Sequence, residues 1–96
     1  MFVRATTIHA DLSRLDEGVA FVRDHVVPAV DTLPGNLGLS MFVTRDPAIV
    51  TVTTAWQTEQ DRSESDHLLT PLRAQGSRIL GGSAVSELLE LAVLDR

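Results

Sequence analysis

The sequence predicts an α+β domain of the ferredoxin-like βαββαβ type, with a four-stranded antiparallel sheet and helices on one of its faces. Four short segments with the alternation or apolar content of strands are separated by the features of two helices. In the first helix apolar residues recur every three or four positions, and the second begins at a cap, Thr58. The two middle strands are separated only by the turn Arg45-Asp46-Pro47, which favours a hairpin. The last strand is apolar on both faces, which indicates that both faces of the sheet are covered.

Composition narrows the class of protein. The chain has 96 residues, 44% of them hydrophobic but only three Phe, one Trp and no Tyr, so one domain over residues 1–96 with an aliphatic core is expected. It contains no Cys, which excludes disulfides and thiol chemistry. The net charge is −5 and the arginines are scattered, which argues against nucleic-acid and membrane partners. Without a signal peptide or a long apolar run, a cytoplasmic location is expected.

The first half of the chain predicts a strand and a helix. The strand runs from Phe2 to His9, and its alternation places Thr7 and His9 together on the face that we expect to lie against the helices. Asp11 or Ser13 caps the following helix, whose apolar stripe continues to Leu33. Pro28 falls within that stripe and predicts a kink or a weakened turn.

The middle of the chain predicts the hairpin and a second helix. Its strands begin near Leu37 and Ile49, and the second one ends at Trp56, with Val52 and Trp56 on the helix side and Ile49, Thr51 and Thr53 on the other. Thr58 caps the helix. Thr70-Pro71 predicts its division into two segments, about 59–69 and 71–80.

The final strand, from Val85 to Leu94, predicts self-association. Helices can cover only one of its two apolar faces, so a second copy of the sheet is expected to cover the other. That second face carries Leu88, Ala92 and Leu94. The sequence therefore predicts a homodimer.

The whole chain resembles the dimeric α/β-barrel proteins, and within them the antibiotic-biosynthesis-monooxygenase-like family. The resemblance is carried by Pro34-Gly35-Asn36-Leu37-Gly38 before the second strand, by Trp56 at the end of the third, by the cap Thr58, and by His67-Leu68-Leu69-Thr70-Pro71 on the second helix. It implies a homodimer and a pocket between helices and sheet. It also implies a monooxygenase, without metal, flavin or other cofactor, that acts on a small phenolic or polyketide-like aromatic substrate.

Five residues are candidates for this pocket. Trp56 offers a stacking surface and an N–H donor, His67 is a base that could take a phenolic proton, and Thr7 completes the catalytic set. Val52 and His9 are candidate substrate-binding residues, and His9 is also an alternative base. Three of them have a purely structural alternative: Trp56 as a core filler, His67 as part of a solvated helix face, and His9 as an exposed strand end.

Two other functions stay open at this point. The haem-degrading branch that the chain resembles has an Asn on the first strand and an axial His on the second helix. His67 approximates that His, but Thr7 stands at the Asn position, which disfavours haem. The other alternative is a barrel that binds a small ligand without catalysis, or is purely structural. The three His residues have no Cys or paired carboxylates at ligand spacing, so no metal site is predicted.

Overall fold

The computed structural model describes residues 1–95 and contains the predicted elements in the predicted order. The strands are β1 (Phe2–His9), β2 (Asn36–Arg45), β3 (Ala48–Trp56) and β4 (Ala84–Glu90). They form one antiparallel sheet in the order β2-β3-β1-β4, with the helices packed on one face. The ferredoxin-like α+β fold is therefore confirmed.

The first helical region contains a widened turn just before Pro28. It consists of a 3₁₀ turn (Leu12–Arg14), α1 (Leu15–Phe21), a π-helical segment (Val22–Val26) and α2 (Val27–Asp31). Asp11 caps the beginning, because its carboxylate accepts a hydrogen bond of 3.0 Å from the Ser13 N–H. Pro28 has no N–H to close a regular α-turn, which accounts for the predicted irregularity at this place.

The second helical region divides at Ser65, so the predicted break at Thr70-Pro71 is wrong. Its two helices are α3 (Glu59–Glu64), capped by Thr58 as predicted, and α4 (Asp66–Leu80). The Ser65 hydroxyl donates a hydrogen bond of 2.6 Å to the Arg62 carbonyl, which closes α3 locally. Pro71 is tolerated inside α4 because Leu69 before it and Leu80 after it are both buried and anchor the helix.

The core between helices and sheet is aliphatic around one aromatic residue. One cluster of buried residues lies beneath the end of α4, and the other surrounds Trp56. The first contains Ile8, Leu15, Val50 and Leu80, and the second contains Val30, Trp56 and Leu69. The prediction of a core made mainly of Leu, Val and Ile is confirmed by these clusters.

Strand register fixes which side chains face the helices. Thr6 pairs with Val52 and Thr7 with Thr51, and directly opposed residues share a face of an antiparallel sheet. The helix side of β1 therefore carries Thr6 and its even-numbered neighbours, and Thr7 lies on the open side. The prediction for β3 is confirmed, and the prediction for β1 is wrong. The physical reason is Arg4, an arginine on the buried face that finds a carboxylate partner there.

The final strand is shorter than predicted and its faces are exchanged. β4 ends at Glu90, and the last sheet-like hydrogen bond joins the Leu91 N–H to the Met1 carbonyl at 2.9 Å. Leu88 pairs with Arg4 on the helix side, whereas Val85 pairs with Thr7 on the open side. The open face of β4 thus carries Val85 and Leu89, and the expectation that Leu88 lies there is wrong.

Within residues 1–95, no helix combines the length and the apolar character needed to cross a lipid bilayer.

Candidate functional site

A narrow cavity lies between the sheet and the helices, with a volume of about 60 Å³. Its walls come from β1, β3, the end of α1, the π-helical segment and α4. Most of the lining side chains are apolar, among them Phe21, Val22, Val52 and Leu72. Space of this size admits a few water molecules, so a ring system can enter only if the helices or side chains move apart. Part of the wall is a π-helical segment, and turns of this kind are frequent at functional sites.

Two threonines place hydroxyl groups on the sheet wall of the cavity. The Thr54 hydroxyl accepts a hydrogen bond of 3.0 Å from the Trp56 indole N–H, which leaves its own proton free to be donated. The Thr6 hydroxyl lies 2.9 Å from the Ser86 hydroxyl. Both threonines are buried and line the cavity, so they could orient a polar group on a bound ligand.

Two arginines form the charged end of the cavity, and both bind Asp66, which is not among the residues of the cavity wall within the described chain. Arg4 donates to one oxygen of the Asp66 carboxylate and Arg73 donates to the other, each at 2.7 Å. Both arginines line the cavity. Burial lowers the pKa of the Arg4 guanidinium, and repulsion from Arg73 lowers it further. Attraction to Asp66 opposes this change, and repulsion from Arg62 adds to it more weakly. Positive charge therefore exceeds negative charge at this end of the cavity.

The structure brings only part of the predicted site together. Val52 lines the cavity as predicted. Trp56 is fully buried behind it, where it packs with Val30 and Leu69. Its indole reaches the cavity indirectly, through Thr54. These contacts are compatible with the structural alternative for Trp56, a core filler.

Thr7 and His9 lie on the far side of the sheet from the cavity. Thr7 is paired with Thr51, and the two hydroxyls are 3.5 Å apart on the open face. His9 is exposed at the end of β1, opposite Ile49. Their predicted placement in the pocket is wrong because the register of β1 turns its even-numbered residues toward the helices.

His67 lies outside the cavity as well. It is exposed on α4 in a shallow surface depression that also contains Ser63, Asp66 and Pro71. No histidine of the described chain lines the cavity, so a phenolic proton cannot pass directly from a ligand in this cavity to His67. Sequence reasoning missed the groups that do face the cavity, Arg4 and Arg73. The only signal was a charged residue within the otherwise uncharged strand β1.

The residues around the cavity do not fit a haem group. Haem ligation of the type considered above requires a histidine imidazole directed at the iron, and among residues 1–95 the cavity wall offers no histidine, only arginines that are protonated and cannot ligate. Across the same residues, no group of three or more His, Cys, Asp or Glu side chains is arranged to hold a metal ion.

Comparison of the sequence with known proteins identifies two relatives. No family model matches the sequence. Two uncharacterized proteins of Mycobacterium tuberculosis, Rv2557 and Rv2558, are each 34% identical over all 96 residues. The match covers 43% and 41% of their lengths, so the chain spans about two fifths of the curated relatives it matches.

Solved structures of similar fold include proteins connected with antibiotic biosynthesis. The ActVA-Orf6 monooxygenase of Streptomyces coelicolor, solved with nanaomycin D, has a TM-score of 0.73 at 23% identity and covers 99% of this chain and 92% of its own. A candidate antibiotic biosynthesis monooxygenase of Deinococcus radiodurans has a TM-score of 0.79 at 13% identity, over 100% and 97% of the two chains. A similar candidate from Nitrosomonas europaea has a TM-score of 0.78 at 12% identity, over 97% and 100%.

Proposed function

We propose that this chain, which has the fold of the antibiotic-biosynthesis-monooxygenase-like proteins, binds a small phenolic aromatic molecule between its helices and sheet and oxygenates it without a cofactor. The observation that carries the proposal is the cavity itself, an apolar slot with hydroxyl groups on one wall and arginines at one end. Apolar walls with a few placed polar groups are typical of small-molecule sites. The likeness to a monooxygenase solved with nanaomycin D supports an aromatic ligand.

The proposed reaction converts a phenol and dioxygen into a quinone and water. The phenol loses its hydroxyl hydrogen and one ring hydrogen, one oxygen atom bonds to that ring carbon, and the second leaves as water. The substrate supplies all the electrons, so no separate reductant is required. Thr6 and Thr54 would orient the phenolic oxygen, and the positive charge of Arg4 would favour its ionised form.

A second candidate function is ligand binding without catalysis. Two observations favour it: Trp56 is fully packed, and the cavity wall offers no histidine as a base within the described chain. The two functions share the binding step and differ only in the reaction with dioxygen.

Both functions are tested by titrating the protein with 1-naphthol and following Trp56 emission together with oxygen uptake. Because Trp56 lies directly behind Thr54, binding is expected to change its fluorescence. Protein-dependent oxygen uptake with formation of 1,4-naphthoquinone supports the monooxygenase. Saturable binding without uptake beyond a protein-free control supports the binding protein, and no response from either signal contradicts both.

Gly76→Ala is the matched variant for this experiment. Gly76 lines the cavity, and an added Cβ would meet the Phe21 ring at 3.7 Å, an ordinary contact distance. Alanine also favours the helix by about 0.5–1 kcal/mol relative to glycine. The variant should therefore be at least as stable as the parent and bind 1-naphthol more weakly, because its methyl group occupies cavity volume.

The same proposal includes a homodimer formed through the open faces of two sheets. The open face exposes apolar side chains from an outer strand at each edge, among them Phe42 at 61% and Val85 at 66% exposure. Covering such a surface is favourable for a domain with so small a core. Sedimentation at micromolar concentration tests this, and a well-folded monomer of the unmodified chain would contradict it.

A further inference from the structure

We propose that the ligand of this cavity carries a carboxylate, which Arg4 and Arg73 bind in the place that the Asp66 carboxylate occupies in the free protein. The inference rests on the proposed binding of an aromatic molecule and adds the charge and position of one group on that molecule. Asp66 then acts as an internal competitor that the ligand displaces.

The spacing of the two guanidinium groups is the first support. Asp66 bridges them with its two oxygens, one at 2.7 Å from an Arg4 nitrogen and the other at 2.7 Å from an Arg73 nitrogen. The pair of arginines is thus already set at the separation that one planar carboxylate requires. Guanidinium groups match carboxylates in geometry as well as in charge, which makes such contacts selective.

The distribution of burial and charge is the second support. The side chains of Arg4 and Arg73 are 14% and 22% exposed, whereas that of Asp66 is 38% exposed. Two half-buried cations therefore share one anion that lies nearer to solvent. The Arg4 Nε–H is buried and has no hydrogen-bond acceptor among residues 1–95, so the cluster retains donor capacity that Asp66 does not use.

Arg62, the third arginine near Arg4, has hydrogen-bond partners other than Asp66. Arg62 donates hydrogen bonds to the carbonyls of Val3 and Leu89, and its guanidinium stacks over the Phe2 ring at 5.6 Å. It adds positive charge near Arg4 without competing for the same acceptor. Glu59 lies 4.0 Å from the Arg62 guanidinium and offsets part of its charge, so the excess of positive charge is mainly that of Arg4 and Arg73 over Asp66. A ligand anion at Arg4 and Arg73 would offset it.

The position of the arginines places the rest of the ligand. Both arginines line the cavity, whereas Asp66 belongs to the neighbouring surface depression. A ligand carboxylate that reaches the two guanidinium groups from the cavity side would therefore carry its ring between the sheet and α4. A hydroxyl on the same ring could reach Thr6 or Thr54 on the sheet wall. The geometry therefore points to hydroxylated aromatic acids as the ligand class.

The test compares 2-naphthoate with its neutral methyl ester by isothermal titration calorimetry. Charge-assisted hydrogen bonds favour the acid, and we expect it to bind about tenfold more tightly than the ester. Arg73→Gln should remove most of that preference, so the ratio of acid affinity to ester affinity should fall towards one. Asp66→Asn should tighten naphthoate binding, because the competing charge is removed while the side chain keeps its size. A merely structural role of Asp66 predicts the opposite result, weaker binding of both ligands.

Thermal unfolding of each variant shows whether it is folded, and Arg73→Lys serves as a second variant if Arg73→Gln is not. Lysine keeps the charge but not the fork of donors, so it should retain part of the preference for the acid. Equal affinity of the parent protein for acid and ester would overturn the inference and leave the proposed aromatic binding intact. Binding of neither ligand would overturn both. Weaker naphthoate binding by a folded Asp66→Asn variant would overturn the displacement of Asp66.

Discussion

The two faces of the sheet are built from similar residues but meet different surroundings. On the helix side Val50 and Trp56 are fully buried, and Thr54 supplies the acceptor for the indole N–H. On the open side Thr51 and Phe42 are paired neighbours, and the Phe42 ring is 61% exposed. Burial and hydrogen bonding, rather than residue type, therefore distinguish the stabilising face from the face available to a partner.

The largest expected effect is on the helix side, at Trp56. Replacement by Ala removes a side chain that is completely buried, and such changes cost about 3–5 kcal/mol, a large part of the stability of a small domain. The matched change on the open side, Phe42→Ala, should cost the isolated monomer far less. Urea unfolding followed by far-UV circular dichroism measures both losses of stability. Each substitution is made in a variant that does not dimerise, so that dimer contacts do not contribute. Equal losses would show that the open face is covered within the monomer.

Much of the fold follows from the sequence, because its signals are local. The bounds of β1, the cap Thr58 and the irregularity near Pro28 each depend on residues adjacent in the chain. The face of β1 could not be predicted in the same way. Arg4 lies on the helix side, half-buried, because Asp66, far away in sequence, provides its partner.

The candidate site was less predictable than the fold for a related reason. Val52 follows from alternation along β3, a local pattern. His67 was chosen for its chemistry, but its position on α4 turns it toward solvent. Arg73 carries no distinguishing pattern in the sequence, and its proximity to Arg4 arises only when α4 packs beside β1, where Asp66 binds both guanidinium groups.

The next largest effect is on formation of the homodimer, and substitutions at two residues of β4 test it. Val85→Glu places a charge on the open face, where it should prevent pairing of two sheets and yield monomer. Leu88→Glu places the same charge on the helix side, opposite Arg4, and should leave association unchanged. Analytical ultracentrifugation distinguishes them. Dissociation by Leu88→Glu alone would indicate that the register of β4 is shifted by one residue.

A smaller effect separates the threonines of the two faces. Thr54→Val removes the acceptor of the buried Trp56 N–H at nearly constant volume and should cost about 1–3 kcal/mol. Thr51→Val removes only the long 3.5 Å contact with Thr7, and valine suits a strand, so its stability should change little. Denaturant midpoints of the two variants test the contrast. If Thr51→Val were the more damaging of the two, the open-face contact would be worth more than the buried one.

The smallest effect is outside both faces, at the cap of the first helical region, and it depends on pH. Hydrogen bonds from the Ser13 hydroxyl and N–H lower the pKa of the Asp11 carboxyl below its ordinary value. A carboxyl with a lowered pKa in the folded state stabilises the fold above its unfolded pKa, and this contribution disappears as the pH falls through the folded value.

Asp11→Asn keeps the shape of the cap but cannot ionise. The parent should therefore be slightly more stable than Asp11→Asn at neutral pH, and the difference should vanish in acid below the ordinary range of aspartate. The carboxyl of Asp24, also with a lowered pKa because of Arg23, titrates in both proteins and cancels in the comparison. A stability difference that stays constant from neutral pH to strong acid would show that Asp11 acts through shape alone, without a contribution from its charge.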